Sequence, residues 1–343
     1  MASEQFLSVL KCGTADHVPI FLRDLTLAMD AVNVKTTEVF TEQYNAELSA
    51  HAVVSFQKMT GQDAVVGCIQ SAAFNVESFG GVMKYPEYGI PVPLTHPLQG
   101  VTELPEVPAI SGRTAGAVRS YSLVREMLPD TAVVGNVEGP FTKTGVLMGM
   151  DDLALMMISE RDHVNEVIRL TTEHTMSFIE ELDRNSSIDC VFLASASDNP
   201  DLFGCEVYQN IVVPNVKDIT SRAHKLGYPV IFHPHGVFLR DCMHEPFEDT
   251  LRTGIDGIQF SEGNDPKEIT SMINGRCSVL GGTDIVPTLI SGTDEDIKER
   301  TEYYLEGCSS GSHIFMPSCS LHRGTSIHRV MKMIEVVRNY VKV

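Results

Sequence analysis

"PVIFHPHG", residues 229–236, decides how the rest of the chain is read. It opens on Val230, Ile231 and Phe232, apolar without alternation. A strand that is apolar on both faces is buried on both faces, and that is the signature of a parallel sheet. The run then stops on His233, Pro234, His235 and Gly236. Two residues apart in extended backbone, the two histidines point to one side and can face one ion. Gly236 permits a sharp turn afterwards.

Seven more stretches of the same kind lie along the chain: "VPIFL" (18–22), "DAVVG" (63–67), "AVVGNVEG" (132–139), "CVFLAS" (190–195), "GIQF" (257–260), "SVLGG" (278–282) and "HIFMPS" (313–318). Helical periodicity separates them, most plainly in 41–60, 150–185 and 294–308, the last with Thr293 or Asp294 as its N-cap. Eight buried strands alternating with helices predict an α/β fold, a single-domain (β/α)8 TIM barrel spanning 1–343. An open doubly wound sheet is the alternative, but no glycine-rich phosphate loop follows the first strand. Residues 77–110, dense in Pro and Gly, read as a structured insertion after the second strand. On a barrel it lies over one mouth, as a functional loop or as a plain surface excursion.

The 343 residues carry 45 acidic and 26 basic side chains, a net charge of -19. Nucleic-acid binding needs a basic footprint and is excluded as an expectation. No apolar run approaches the roughly 20 residues that span a bilayer, and the N-terminus lacks a secretory pattern. Neither a membrane association nor a secreted location is expected, and the cytoplasm is the expected compartment. Eight cysteines without a CxxC pair predict buried apolar residues rather than a disulfide framework.

Barrel enzymes place their chemistry at the C-terminal ends of the strands. Read in order, those ends carry Arg23 and Asp24, Asn136 and Glu138, Asp198 and Asp201, His233 and His235, Glu262, Asp284 and Cys319. Imidazole and thiolate suit zinc, and three protein ligands with an open fourth position define a catalytic site. His233, His235 and Cys319 are therefore the candidate metal ligands. Asp198, Glu138 and Glu262 are the candidate proton donors. The plainer alternatives are an H-x-H without metal, Asp198 as an N-cap or turn residue, and Glu138 as a partner for a backbone amide.

The ordered set "GNVEGPFT" (135–142), 212–236, 254–269 and 278–299 resembles the uroporphyrinogen decarboxylase superfamily over roughly residues 15–340, which implies a single (β/α)8 barrel. The decarboxylases themselves carry several arginines after the first strand to hold substrate carboxylates. Here "FLRDLTLAMDAVN" (21–33) has one, so a polyanionic substrate lacks its cations. The branch of zinc methyltransferases, which exchange methyl groups with the cobalt of a cobalamin held by a separate corrinoid protein, is the better likeness. Its thiol-methylating members carry H-x-C and a later Cys. His233 and Cys319, in "MPSCSLHRGTS" (316–326), take two of those places, and His235 stands where the relatives keep a cysteine. The resemblance implies zinc, a corrinoid protein as partner, and a small methyl donor or acceptor: a methyl ether, a methylamine or a thiol. A decarboxylase-like enzyme and a non-catalytic ligand-binding barrel are the alternative readings.

Overall fold

The computed structural model describes residues 1–71 and 73–340. Its strands, in chain order, are β1 (Ala64–Val66), the short pair β2 (Met83–Lys84) and β3 (Val92–Pro93), β4 (Ala132–Glu138), β5 (Cys190–Ser195), β6 (Val230–Pro234), β7 (Gly257–Gln259), β8 (Ser278–Gly281) and β9 (His313–Phe315). Seven of them form one parallel sheet in the order β1-β4-β5-β6-β7-β8-β9. Every residue of these seven strands is buried, as their unbroken apolar character predicts.

The eighth stave is the segment around Ile20 and Phe21. Ile20 bridges Phe315 and Phe21 bridges Ala64, both in parallel sense. The Phe21 amide donates to the Phe315 carbonyl at 3.0 Å, and the Phe315 amide donates to that of Pro19 at 2.8 Å. The sheet therefore closes on itself as the TIM barrel expected. This stave is irregular for a local reason. The amides of Ile20 and Leu22 are taken by side chains, Asp63 Oδ2 at 2.8 Å and Gln62 Oε1 at 3.1 Å, instead of by a strand ladder.

Helices cover the outside. The predicted helix over 41–60 runs Ala46–Thr60, with Asn45 Oδ1 accepting the Leu48 amide at 3.0 Å. Thr293 caps Asp294–Gly307 as expected, and Asp296 bonds back to the Thr293 amide. The periodicity over 150–185 does not continue as one rod. It divides into Met150–Ser159 and Arg161–Ser186, with Glu160 out of helical conformation between them.

Residues 77–110 begin in a 3-10 turn, Val76–Phe79, and continue through the antiparallel pair β2–β3. The Leu98 amide donates to Leu147 O at 2.9 Å, and His96 contacts Val146 O at 2.7 Å, so the insertion packs on the helix Pro140–Met148 that follows β4. One cysteine expectation is corrected. Cys205 and Cys242 form a disulfide, with Cα atoms 6.1 Å apart. They lie 37 residues apart, on the segments that leave β5 and β6, so only the alignment of neighbouring strands brings them together. Cys68, Cys190, Cys277 and Cys308 are buried free thiols, as expected.

Close backbone approach at the strand ends makes one residue decisive. A Cβ on Gly282 would stand 2.4 Å from the Met316 carbonyl oxygen. Gly282→Ala must push the ends of β8 and β9 apart and should cost about 1–3 kcal/mol, read as a lowered unfolding midpoint in urea.

Candidate metal centre

His233, His235 and Cys319 converge at the C-terminal mouth of the barrel. Their ligand atoms all lie within 4.8 Å of one another. Cys319 Sγ is 3.7 Å from Nε2 of His233 and 3.7 Å from Nε2 of His235. Tetrahedral zinc with ordinary bond lengths places sulfur and nitrogen about 3.6 Å apart, so the three residues fit that ion. His233 is buried, and the other two are half-buried and line a cavity of about 450 Å³ together with Glu262 and His322. That leaves an open side for a fourth ligand. Burial pushes the His233 imidazole down to about 4, only partly countered by its contact with Cys319. It is thus neutral, the metal-binding form. Burial alone would raise the Cys319 thiol, but the two histidines and the Arg23 charge hold it well below its ordinary value.

Gln259, the last residue of β7, builds this geometry and was passed over in the sequence because it sits in an apolar run. Its carbonyl receives His233 Nδ1 at 3.4 Å, which turns Nε2 toward Cys319. Its side-chain Nε2 donates to the carbonyls of Pro317 at 3.1 Å and Ser318 at 2.9 Å, the two residues before Cys319. One buried residue therefore orients a ligand from β6 through its backbone carbonyl, and the loop that carries the ligand after β9 through its side-chain amide. Ser320 and His322 continue on the far side. Ser320 Oγ is 3.8 Å from the Cys319 sulfur and 2.9 Å from His322 Nε2.

Arg23, at the end of the first stave, is buried beneath the site with a left-handed φ of 31°. Its Nε donates to Asn136 Oδ1 at 2.8 Å and its guanidinium lies 4.7 Å from the centre of the Phe192 ring. The same ring packs against His233, with centroids 5.7 Å apart. A positive charge is thus fixed within electrostatic reach of the thiolate.

The three candidate carboxylic acids occupy different places. Asp198 is buried, which pushes its carboxyl up to about 6. Its Oδ1 has no hydrogen-bond partner among the described residues. Glu262 stands at the mouth, accepting from the Ile285 amide at 3.0 Å and Ser318 Oγ at 2.8 Å. Glu138 belongs to a separate buried cluster: Asn75 donates to it at 2.6 Å and the Lys143 ammonium lies 3.8 Å away. Burial raises Glu138 and lowers Lys143 to about 8. The remaining strand-end acids are engaged structurally. Asp24 caps the Leu27 and Ala28 amides, Asp201 pairs with Arg240 at 2.7 Å, and Asp284 holds Arg300 and Tyr304.

Two outcomes follow for the metal. Freshly purified protein should contain about one zinc per chain by elemental analysis, and His233→Ala and Cys319→Ala should each lose it. Gln259→Leu keeps all three ligands and the backbone carbonyl that meets His233, but releases the Pro317 and Ser318 carbonyls that position the Cys319 loop, and should weaken zinc binding roughly 10–100-fold, measured by competition with a coloured chelator.

The known proteins that resemble this chain agree with its architecture. The family model described as uroporphyrinogen decarboxylase (URO-D) matches residues 1–340. A methylcobamide:CoM methyltransferase, MtaA, of Methanosarcina barkeri is 20% identical, covering 98% of this chain and 97% of that protein. A methylated-thiol–coenzyme M methyltransferase of Methanosarcina mazei is 22% identical over 74% of this chain and 64% of its own length. Among solved structures, a methyltransferase from Methanosarcina mazei superposes with a TM-score of 0.85 at 21% identity, covering 98% of both chains. A B12-independent methionine synthase from Shewanella shares the fold more distantly, with a TM-score of 0.59 at 13% identity and 96% of both chains covered. With a barrel closed through its first stave and a family match over nearly its whole length, this chain belongs to the uroporphyrinogen decarboxylase (URO-D) family.

Proposed function

We propose that this protein is a zinc methyltransferase that acts in the cytoplasm and moves a methyl group between a small substrate and the cobalt of a cobalamin held by a separate corrinoid protein. The convergence of His233, His235 and Cys319 on one open cavity carries the reading. The methyltransferase names of its relatives support it. A site of two neutral imidazoles and one thiolate leaves zinc with a net charge of about +1, and the bound ion supplies Lewis acidity toward a heteroatom of the substrate.

The chain's own residues account for the rest. A cavity of about 450 Å³ takes a small methylated molecule and holds it beside Cys319. Asp198, protonated up to about pH 6 through burial and next in the chain to Asn199 of the cavity lining, is the proposed donor of a proton to a departing oxygen or nitrogen. Glu262, at the mouth, fixes the Ser318 hydroxyl and the Ile285 amide and so shapes the entrance. Glu138, tied to Asn75 and Lys143, acts on the electrostatics of the floor rather than on the substrate.

The imidazole of His235 separates two substrate classes. Replacing a thiolate ligand by imidazole makes the site one charge more positive. A more positive zinc holds a thiolate more tightly and blunts its attack, while it polarises an ether or amine better. Methyl ethers and methylamines are therefore the favoured donors, with a thiol acceptor as the second reading, favoured by the coenzyme M names of the relatives.

The test is a methyl-transfer screen followed by the cobalt absorption bands, with methylcobalamin as donor to thiols and reduced cobalamin as acceptor from methyl ethers and methylamines. Transfer in either direction that a zinc chelator abolishes is expected. Full activity in metal-free protein would sink the reading. Asp198→Asn should lower kcat about 10²-fold or more with ether or amine donors while leaving bound zinc in place. His235→Cys should shift the preference toward thiols, on the order of 10-fold for a change of about 1.4 kcal/mol.

A further inference from the structure

The hairpin β2–β3 presents an exposed apolar face. Val82, Tyr88, Ile90, Val92 and Leu94 are between 37% and 60% exposed within thirteen residues. The pairing makes this one surface rather than scattered side chains. The Leu94 amide donates to the Val82 carbonyl at 2.8 Å, and Lys84 stands opposite Val92. Side chains two apart on a strand share a face. Val82, Lys84, Val92 and Leu94 therefore point outward together, while Met83, between them, is buried. Isolated exposed apolar residues are ordinary, but a paired set is the mark of an interaction site.

Two contacts fix the hairpin beside the metal centre. The Thr36 hydroxyl donates to the Gly89 carbonyl at 2.7 Å and accepts from Arg323 at 3.1 Å, and the Arg323 guanidinium lies 5.3 Å from the centre of the Tyr88 ring. Arg323 is four residues past Cys319. The other side of the insertion packs on the helix that follows β4. His96 and Leu98 join it to the helix Pro140–Met148, and the next helix exposes Leu155 and Ile158.

We propose that this hairpin face docks the protein that carries the corrinoid. The inference rests on the methyltransferase reading above. A cavity of about 450 Å³ takes a small substrate and has no room for a corrin macrocycle as well. The cobalt must then be presented at the mouth from outside, and the protein around it must meet the rim where Tyr88 adjoins the Cys319 loop. On the outward face of the two strands Lys84 is the one charge, Glu87 in the turn being paired with Lys35, in a chain of net charge -19. The complementary partner surface is thus apolar, with a carboxylate placed to meet Lys84.

The test compares two methyl donors with zinc-loaded enzyme: free methylcobalamin, and the cobalamin-binding proteins of the source organism, each reconstituted with methylcobalamin. Leu94→Asp should raise KM for the protein-bound donor about 30-fold, the effect of losing an interface hot spot. It should leave turnover with free methylcobalamin and KM for the small substrate unchanged. Lys84→Glu, which spares the apolar residues, should weaken the same donor less, and added salt should narrow its difference from wild type. Met59→Asp, at an exposed apolar position on the outer helix Ala46–Thr60, should change neither. Equal KM values for wild type and Leu94→Asp would overturn the docking face, as would a wild type that accepts free methylcobalamin but no protein-bound donor. A wild-type dimer that Leu94→Asp dissociates would assign the face to a second copy and overturn it too. Failure of the wild type with both donors would remove the methyltransferase reading itself.

Discussion

The site depends on the buried Gln259, through its backbone carbonyl and its side-chain amide. Its carbonyl meets one ring nitrogen of His233, and its side chain holds the carbonyls of Pro317 and Ser318. These bonds turn the other nitrogen of His233 toward the mouth and carry the loop after β9 across it, so that Cys319 arrives 3.7 Å from both imidazoles. The bonds are strong constraints because Gln259 is fully buried. Water cannot replace a lost partner there, and an unpaired buried polar group costs about 1–3 kcal/mol.

Charge is layered around that centre. The thiolate of Cys319 feels the charge of Arg23, which is held in a left-handed conformation against Phe192. Below and to one side, Glu138 and Lys143 form a buried pair that burial weakens in both members. Such a pair resists loss of either partner far more than it rewards its presence, and it keeps the floor of the barrel polar without exposing a free charge to the cavity. A neutral ligand such as His233, next to a thiol shifted toward thiolate, is the protonation state that metal binding requires.

Much of this was legible in the chain because burial on both faces writes itself into composition. All eight staves coincide with the apolar stretches read from the sequence, including the irregular first one. Thr293 announced its helix through a capping pattern that is local. The break at Glu160 was not legible, since the apolar periodicity runs through it. The Cys205–Cys242 pair was missed for the same reason: a spacing of 37 residues carries no signal until β5 and β6 lie side by side.

The sequence by itself determined the barrel and which residue types stand at its rim, because strand period, burial and order along the chain are all local properties. It placed His233 and His235 on one side of a strand through the two-residue repeat alone. Only the tertiary structure decided that Cys319, 84 residues beyond His235, joins them. It also decided that Gln259 orients the set and that Glu138 belongs to another cluster. Those are distances across the mouth of a closed sheet, set by closure through Ile20 and Phe21 and by hydrogen bonds between segments remote in the chain.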